Sequence, residues 1–167
     1  GILLMSSQLY SQSSEVSSDW KTDDKCLKNL SLYYEFYKHK NYQDAINPCR
    51  VVYNYCPDSK ESLYAYGVNI YKYFLEREKD PYRIMAYADT IMMIYDKIIQ
   101  FFPENKGDVL GRKGVDLLRY KRMEGSEAIL EGYKILSESV EIEGLKSSEV
   151  VLTTQISAAI SLFLSEE

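Results

Sequence analysis

The chain has 167 residues, enough for one domain that buries about two-thirds of its unfolded surface. Hydrophobic residues make up 46% of it and Gly and Pro occupy only 8 and 4 positions, so long helices are favoured over a turn-rich β-fold. A net charge of −5 argues against a general nucleic-acid binder, and no run approaches the roughly 18 apolar residues of a membrane-spanning helix.

Residues 1–25 read as a signal-like remnant and flexible leader. "GILLMSSQLYSQSS" has a short apolar run followed by small polar residues, as at the tail of an export signal. "SSEVSSDWKTDDK" is a polar lead-in with one aromatic, Trp20, and the acids Asp23 and Asp24 read as solvated charge.

Residues 26–167 read as one helical domain. Helices are expected over 26–40, over 41–56 with a kink at Pro48, and over 60–79. The fourth, 80–102, opens with Asp80 as cap and Pro81 at the first helical position. Its line Ile84, Ala88, Ile91, Tyr95, Ile98 and Phe102 reads as a core face, with Met85, Met92 and Ile99 as a second stripe. Three more helices cover 108–122, 126–142 and 148–164, with short connections that make neighbours antiparallel hairpins.

The odd-numbered helices share a pattern: "EFYK" at 35–38, "NIYK" at 69–72 and "DLLR" at 116–119. The first two blocks are 34 residues apart. That is the period of the tetratricopeptide repeat (TPR). The first unit supplies Leu32, Phe36, Tyr42, Ala45, Val52 and Pro57, the second Leu63, Gly67 and Ile70, and the third Leu110, Gly114 and Leu117. The chain therefore resembles the TPR family, and in particular exported envelope TPR proteins of Gram-negative bacteria. It departs from the pattern at Tyr33, Cys49 and Lys113.

The resemblance implies an all-α, right-handed α-solenoid of about seven helices. It also implies a non-enzymatic interaction or scaffolding role in the periplasm or envelope, with a peptide or protein partner. Transferred repeat positions give a groove lined by Tyr34, Tyr37, Lys38, Tyr64, Tyr71, Lys72 and Arg119. The tyrosines would pack against a peptide, and the basic column Lys38, Lys72 and Arg119 would hold its carboxylates. The alternative for that column is that basic residues at helix ends complement the helix dipole. The carboxylate clamp of chaperone-binding TPRs is disfavoured, because Tyr34 stands where it needs Asn.

In a TPR hairpin Cys26 falls opposite Cys56, which implies a disulfide between them, with Cys49 as a buried free thiol. The rival is three reduced cysteines in a cytosolic protein. The last helix, 148–164, is expected to leave the line Leu152, Ile156, Ala159 and Phe163 for a further neighbour, because a solenoid normally closes on a polar cap.

We expect no catalytic residues, cofactor or metal. His39, the single histidine, sits in "KHK" without ligand spacing. "GRKG" at 111–114 resembles a nucleic-acid clamp only in spacing; Gly111 and Gly114 read as points of close helix approach. Two other roles remain open: a structural piece of a larger envelope assembly, or an accessory component of carbohydrate uptake.

Overall fold

The computed structural model describes residues 19–165. The signal-like stretch 1–14 lies outside them. Among the described residues there are seven α-helices and no strand: α1 (Asp24–Lys38), α2 (Tyr42–Tyr55), α3 (Glu61–Leu75), α4 (Pro81–Phe101), α5 (Lys106–Lys121), α6 (Ser126–Glu143) and α7 (Glu149–Leu164). The fold is all-α.

Local chemistry sets the helix starts. Asp80 caps α4 by accepting from the Tyr82 amide at 2.9 Å, and Pro81 stands at the first helical position. Asp23 does the same for α1, accepting from the Cys26 amide at 2.8 Å, while its second oxygen accepts from the Tyr55 hydroxyl at 2.9 Å. The expectation that Asp23 is mere solvated charge is thereby corrected. Trp20 is corrected as well: it packs against the core, so the folded part begins before residue 26. α2 continues through Pro48, which is buried.

Helices pack as consecutive pairs, α1 on α2, α3 on α4 and α5 on α6, and α7 lies against both α5 and α6. The expected α4 stripe is core: Ala88, Ile91, Tyr95 and Ile98 are buried, and Met92 is buried beside them. At the α5 glycines the approach is close. A Cβ on Gly111 would sit 2.8 Å from Val151 of α7, and one on Gly114 would sit 2.6 Å from Leu136 of α6.

Cys26 and Cys56 form a disulfide that ties the start of α1 to the end of α2, with Cα atoms 6.1 Å apart. Cys49 is free and buried. Burial raises its thiol pKa, although hydrogen bonds with Tyr33 and Tyr53 pull the other way.

The core is rich in tyrosine, whose hydroxyls find acceptors inside. Tyr33 and Tyr53 both donate to the Leu63 carbonyl, at 2.8 and 3.1 Å, and Tyr64 donates to the Pro57 carbonyl at 2.6 Å. Desolvation pushes the pKa of Tyr33, Tyr53, Tyr64 and Tyr95 upward, and for Tyr95 the Asp116 carboxylate adds to it. Above the unfolded tyrosine pKa of about 10 the folded chain holds more protons than the unfolded one, so stability falls as pH rises. A phenolate-absorbance titration should show one class of tyrosines ionising near the ordinary value. A second class should ionise only together with loss of helical circular dichroism. A single ordinary class in a fully folded chain would contradict the buried hydroxyl network.

Candidate functional site

Tyr34 and Tyr37 stand three residues apart on α1, and Tyr66 and Tyr73 stand two turns apart on α3, so each pair shares a helix face. With Tyr42 at the start of α2 they form a ribbon of touching rings. Along Tyr34, Tyr66, Tyr37, Tyr42 and Tyr73 the centroid steps are 6.2, 4.0, 5.9 and 4.8 Å. Tyr37 and Tyr66 are stacked at 12°, and the Asn69 amide donates to the Tyr37 hydroxyl at 3.0 Å. Tyr34 is 45% and Tyr73 39% exposed, and the other three rings are half-buried.

Cations stand at both ends of this ribbon. At the Tyr73 end Arg77 lies 3.7 Å from the ring centroid, while Lys38, the last residue of α1, and Lys40 belong to the segment between Tyr37 and Tyr42, the third and fourth rings. At the other end Trp20, Tyr34, Lys60 and Tyr66 line a crevice of about 290 Å³. Lys21 and Lys60 lie 5.8 and 6.0 Å from the Trp20 ring centroid.

A second feature is a cleft of about 270 Å³ among α3, α5 and the start of α7. On its floor the Lys72 ammonium meets Asp116 at 2.6 Å, and the Tyr95 hydroxyl donates to the same carboxylate oxygen at 2.6 Å. Asp116 is only 3% exposed, so this trio, drawn from three helices, fixes α5 against α3 and α4. Arg112 lines the cleft but is paired with Asp108 at 2.8 Å, and Arg119 lines it from the exposed side.

The groove residues expected from repeat positions do not converge on one surface. Tyr34 and Tyr37 lie on the ribbon, and Lys38 is exposed at its turn. Tyr64 is fully buried, stacked on Tyr53 at 4.3 Å and 4°, and so faces no groove. Tyr71 turns towards Cys49 and Arg50 of α2 and Thr90 of α4 and touches Phe74 and Tyr87. Lys72 and Arg119 do share a cleft, but Lys72 is committed to Asp116. Lys38, Lys72 and Arg119 each lie in the last turn of their helix, where a positive charge also complements the helix dipole.

The reason is that α3 is covered on several sides, by α1 and α2, by α4 and by the α5 cleft. Transferred positions therefore select the right helix but not its open strip. Tyr42, Tyr66 and Tyr73 were missed. The i, i+7 spacing of Tyr66 and Tyr73 opposite Tyr34 and Tyr37 was the available signal.

α7 buries Val151 and Ala158 against its neighbours. Its opposite face leaves Leu152, Ile156, Ile160 and Phe163 open at 39, 59, 55 and 65%. Among the described residues no three His, Cys, Asp or Glu side chains gather as a metal site, and no helix is long and apolar enough to cross a membrane.

No family model, curated protein or solved structure matches the chain.

Proposed function

We propose that the chain is a non-enzymatic interaction module that presents the tyrosine ribbon of α1, α2 and α3 to a partner protein. Its helix pairs are read as TPR-like hairpins stacked into a right-handed solenoid. The ribbon is the observation that carries this reading. Tyrosine offers a large, rigid ring with a hydroxyl that tolerates water, and such residues dominate the energetic centres of protein interfaces. Five of them touch in a chain, with Tyr34 and Tyr73 open to solvent and the other three half-buried. The Cys26–Cys56 bond supports an oxidising compartment, and our reading is that the module works in the periplasm or at the envelope.

A second reading, a structural piece of a larger assembly, is favoured by the uncovered apolar face of α7. Photocrosslinking separates the two. With p-benzoylphenylalanine at Tyr34 or Tyr73, irradiation in an envelope extract should give a discrete adduct that is missing when the probe replaces Glu131 of α6. An adduct only from a probe at Ile156 would favour the assembly reading. Equal labelling at Tyr34, Tyr73 and Glu131 would overturn the ribbon as a partner surface.

A further inference from the structure

From Val150 to Leu164 the last helix, α7, carries no charged residue. A helix that is apolar on every side is ordinarily enclosed on every side. Here the buried residues are Val151 and Ala158, whereas Leu152, Ile156, Ile160, Phe163 and Leu164 stand 39 to 65% exposed. Leu152, Ile156, Ile160 and Phe163 step by 4, 4 and 3, so they form one line, about 16 Å long at 1.5 Å per residue, on the side away from α5 and α6.

Two properties of this line say what covers it. The first is charge. A covering surface that brought Lys, Arg, Asp or Glu would leave them desolvated with no counter-ion on α7. An anionic lipid surface is disfavoured too, because it holds an interfacial helix through basic residues, and α7 has none. The second is symmetry. Counted from Ala158, Ile156 and Ile160 lie two residues to either side, and Leu152 and Leu164 lie six to either side. Reversing the direction of the helix therefore lays the pattern on itself, which is what a two-fold axis across the helix requires. Ser157 and Ala159, on either side of the midpoint, are small and leave room for a second helix to approach closely.

We infer that α7 pairs antiparallel with α7 of a second copy of this chain, about a two-fold axis at the level of Ala158. Ile156 of each copy then meets Ile160 of the other, and Leu152 of each lies level with Leu164 of the other. The two faces together remove on the order of 1,000 Å² from water, the lower limit for a specific interface, so the dimer is reversible, with a dissociation constant of about 1–100 μM. The pairing goes beyond the ribbon reading and does not depend on it: α1, α2 and α3 take no part, and each copy keeps its tyrosine ribbon free.

Sedimentation velocity from about 1 to about 300 μM tests the inference. The parent should pass from one chain to two across that range and go no further. I156E should stay a single chain throughout, with unchanged helical circular dichroism. L130E, which charges an exposed apolar residue of α6, should dimerise as the parent does. Cysteine pairing reads the direction: under mild oxidation a mixture of I156C and I160C chains should crosslink several-fold faster than I156C alone. A single chain at every concentration, assembly beyond two, an I156E variant that still dimerises, equal loss in L130E, or faster crosslinking of I156C with itself would overturn it. Photocrosslinks from Tyr34 and Tyr73 are independent of these outcomes, so the ribbon reading stands or falls apart from this one.

Discussion

Replacing both Cys26 and Cys56 by alanine should lower the unfolding free energy by about 3–4 kcal/mol. The bond joins residues separated by 30 positions, and in the chain-entropy model closing a loop of that length removes about this much freedom from the unfolded ensemble. Both cysteines are fully buried, so each alanine also removes packing at the base of the α1–α2 pair. Against a typical total of about 5–15 kcal/mol, the loss is a large share of stability. Denaturant titration of the double variant, or of the parent with reductant, gives the value. A thiol count gives the control: one reactive thiol on unfolding without reductant and three with it. Cys49 should resist alkylation in the folded state, being buried with a raised pKa. A change below about 1 kcal/mol would mean that the reduced hairpin is already closed by packing alone.

Gly67→Ala should cost about 2–3 kcal/mol, against the usual gain of about 1 kcal/mol for replacing glycine by alanine inside a helix. A Cβ at Gly67 would overlap the Tyr53 hydroxyl and lie 3.1 Å from that of Tyr33. Neither ring can swing away. Tyr53 is stacked on Tyr64, and both hydroxyls are held on the Leu63 carbonyl, 3.3 Å from each other. The glycine thus leaves room for the Tyr53 hydroxyl, and beside it for that of Tyr33. Relief should follow from shortening the ring that causes the clash. In a Tyr53→Phe background the added methyl should cost less than in the parent, which a double-mutant cycle measures. Additive effects would contradict the contact.

Much of the fold was legible because its signals are local. Asp80 and Pro81 announce α4, the 4, 3, 4, 3 stepping of its apolar residues gives the buried face, and Gly111 and Gly114 mark where α6 and α7 come close to α5. The Cys26–Cys56 pairing was what the TPR resemblance implied, since in that hairpin the start of the first helix lies opposite the end of the second.

The candidate site was less legible, for two reasons. Tyrosine does not declare its side: Tyr64 looked like a groove residue, yet the Pro57 carbonyl satisfies its hydroxyl inside the core. Asp116 stands in the sequence only as the first residue of "DLLR", yet Lys72 and Tyr95 from other helices make it a buried acceptor. Partners supplied across the fold leave no mark in the neighbouring sequence.

The most direct test compares the two open surfaces in one assay. The protein crosslinked at Tyr34 or Tyr73 is purified, and its affinity is measured by calorimetry for the parent chain, for Y34S/Y73S and for I156E/F163E. The ribbon account predicts at least a tenfold loss in Y34S/Y73S and an unchanged affinity in I156E/F163E, with circular dichroism unaltered in both. The reverse pattern, affinity lost only when α7 is charged, would contradict it.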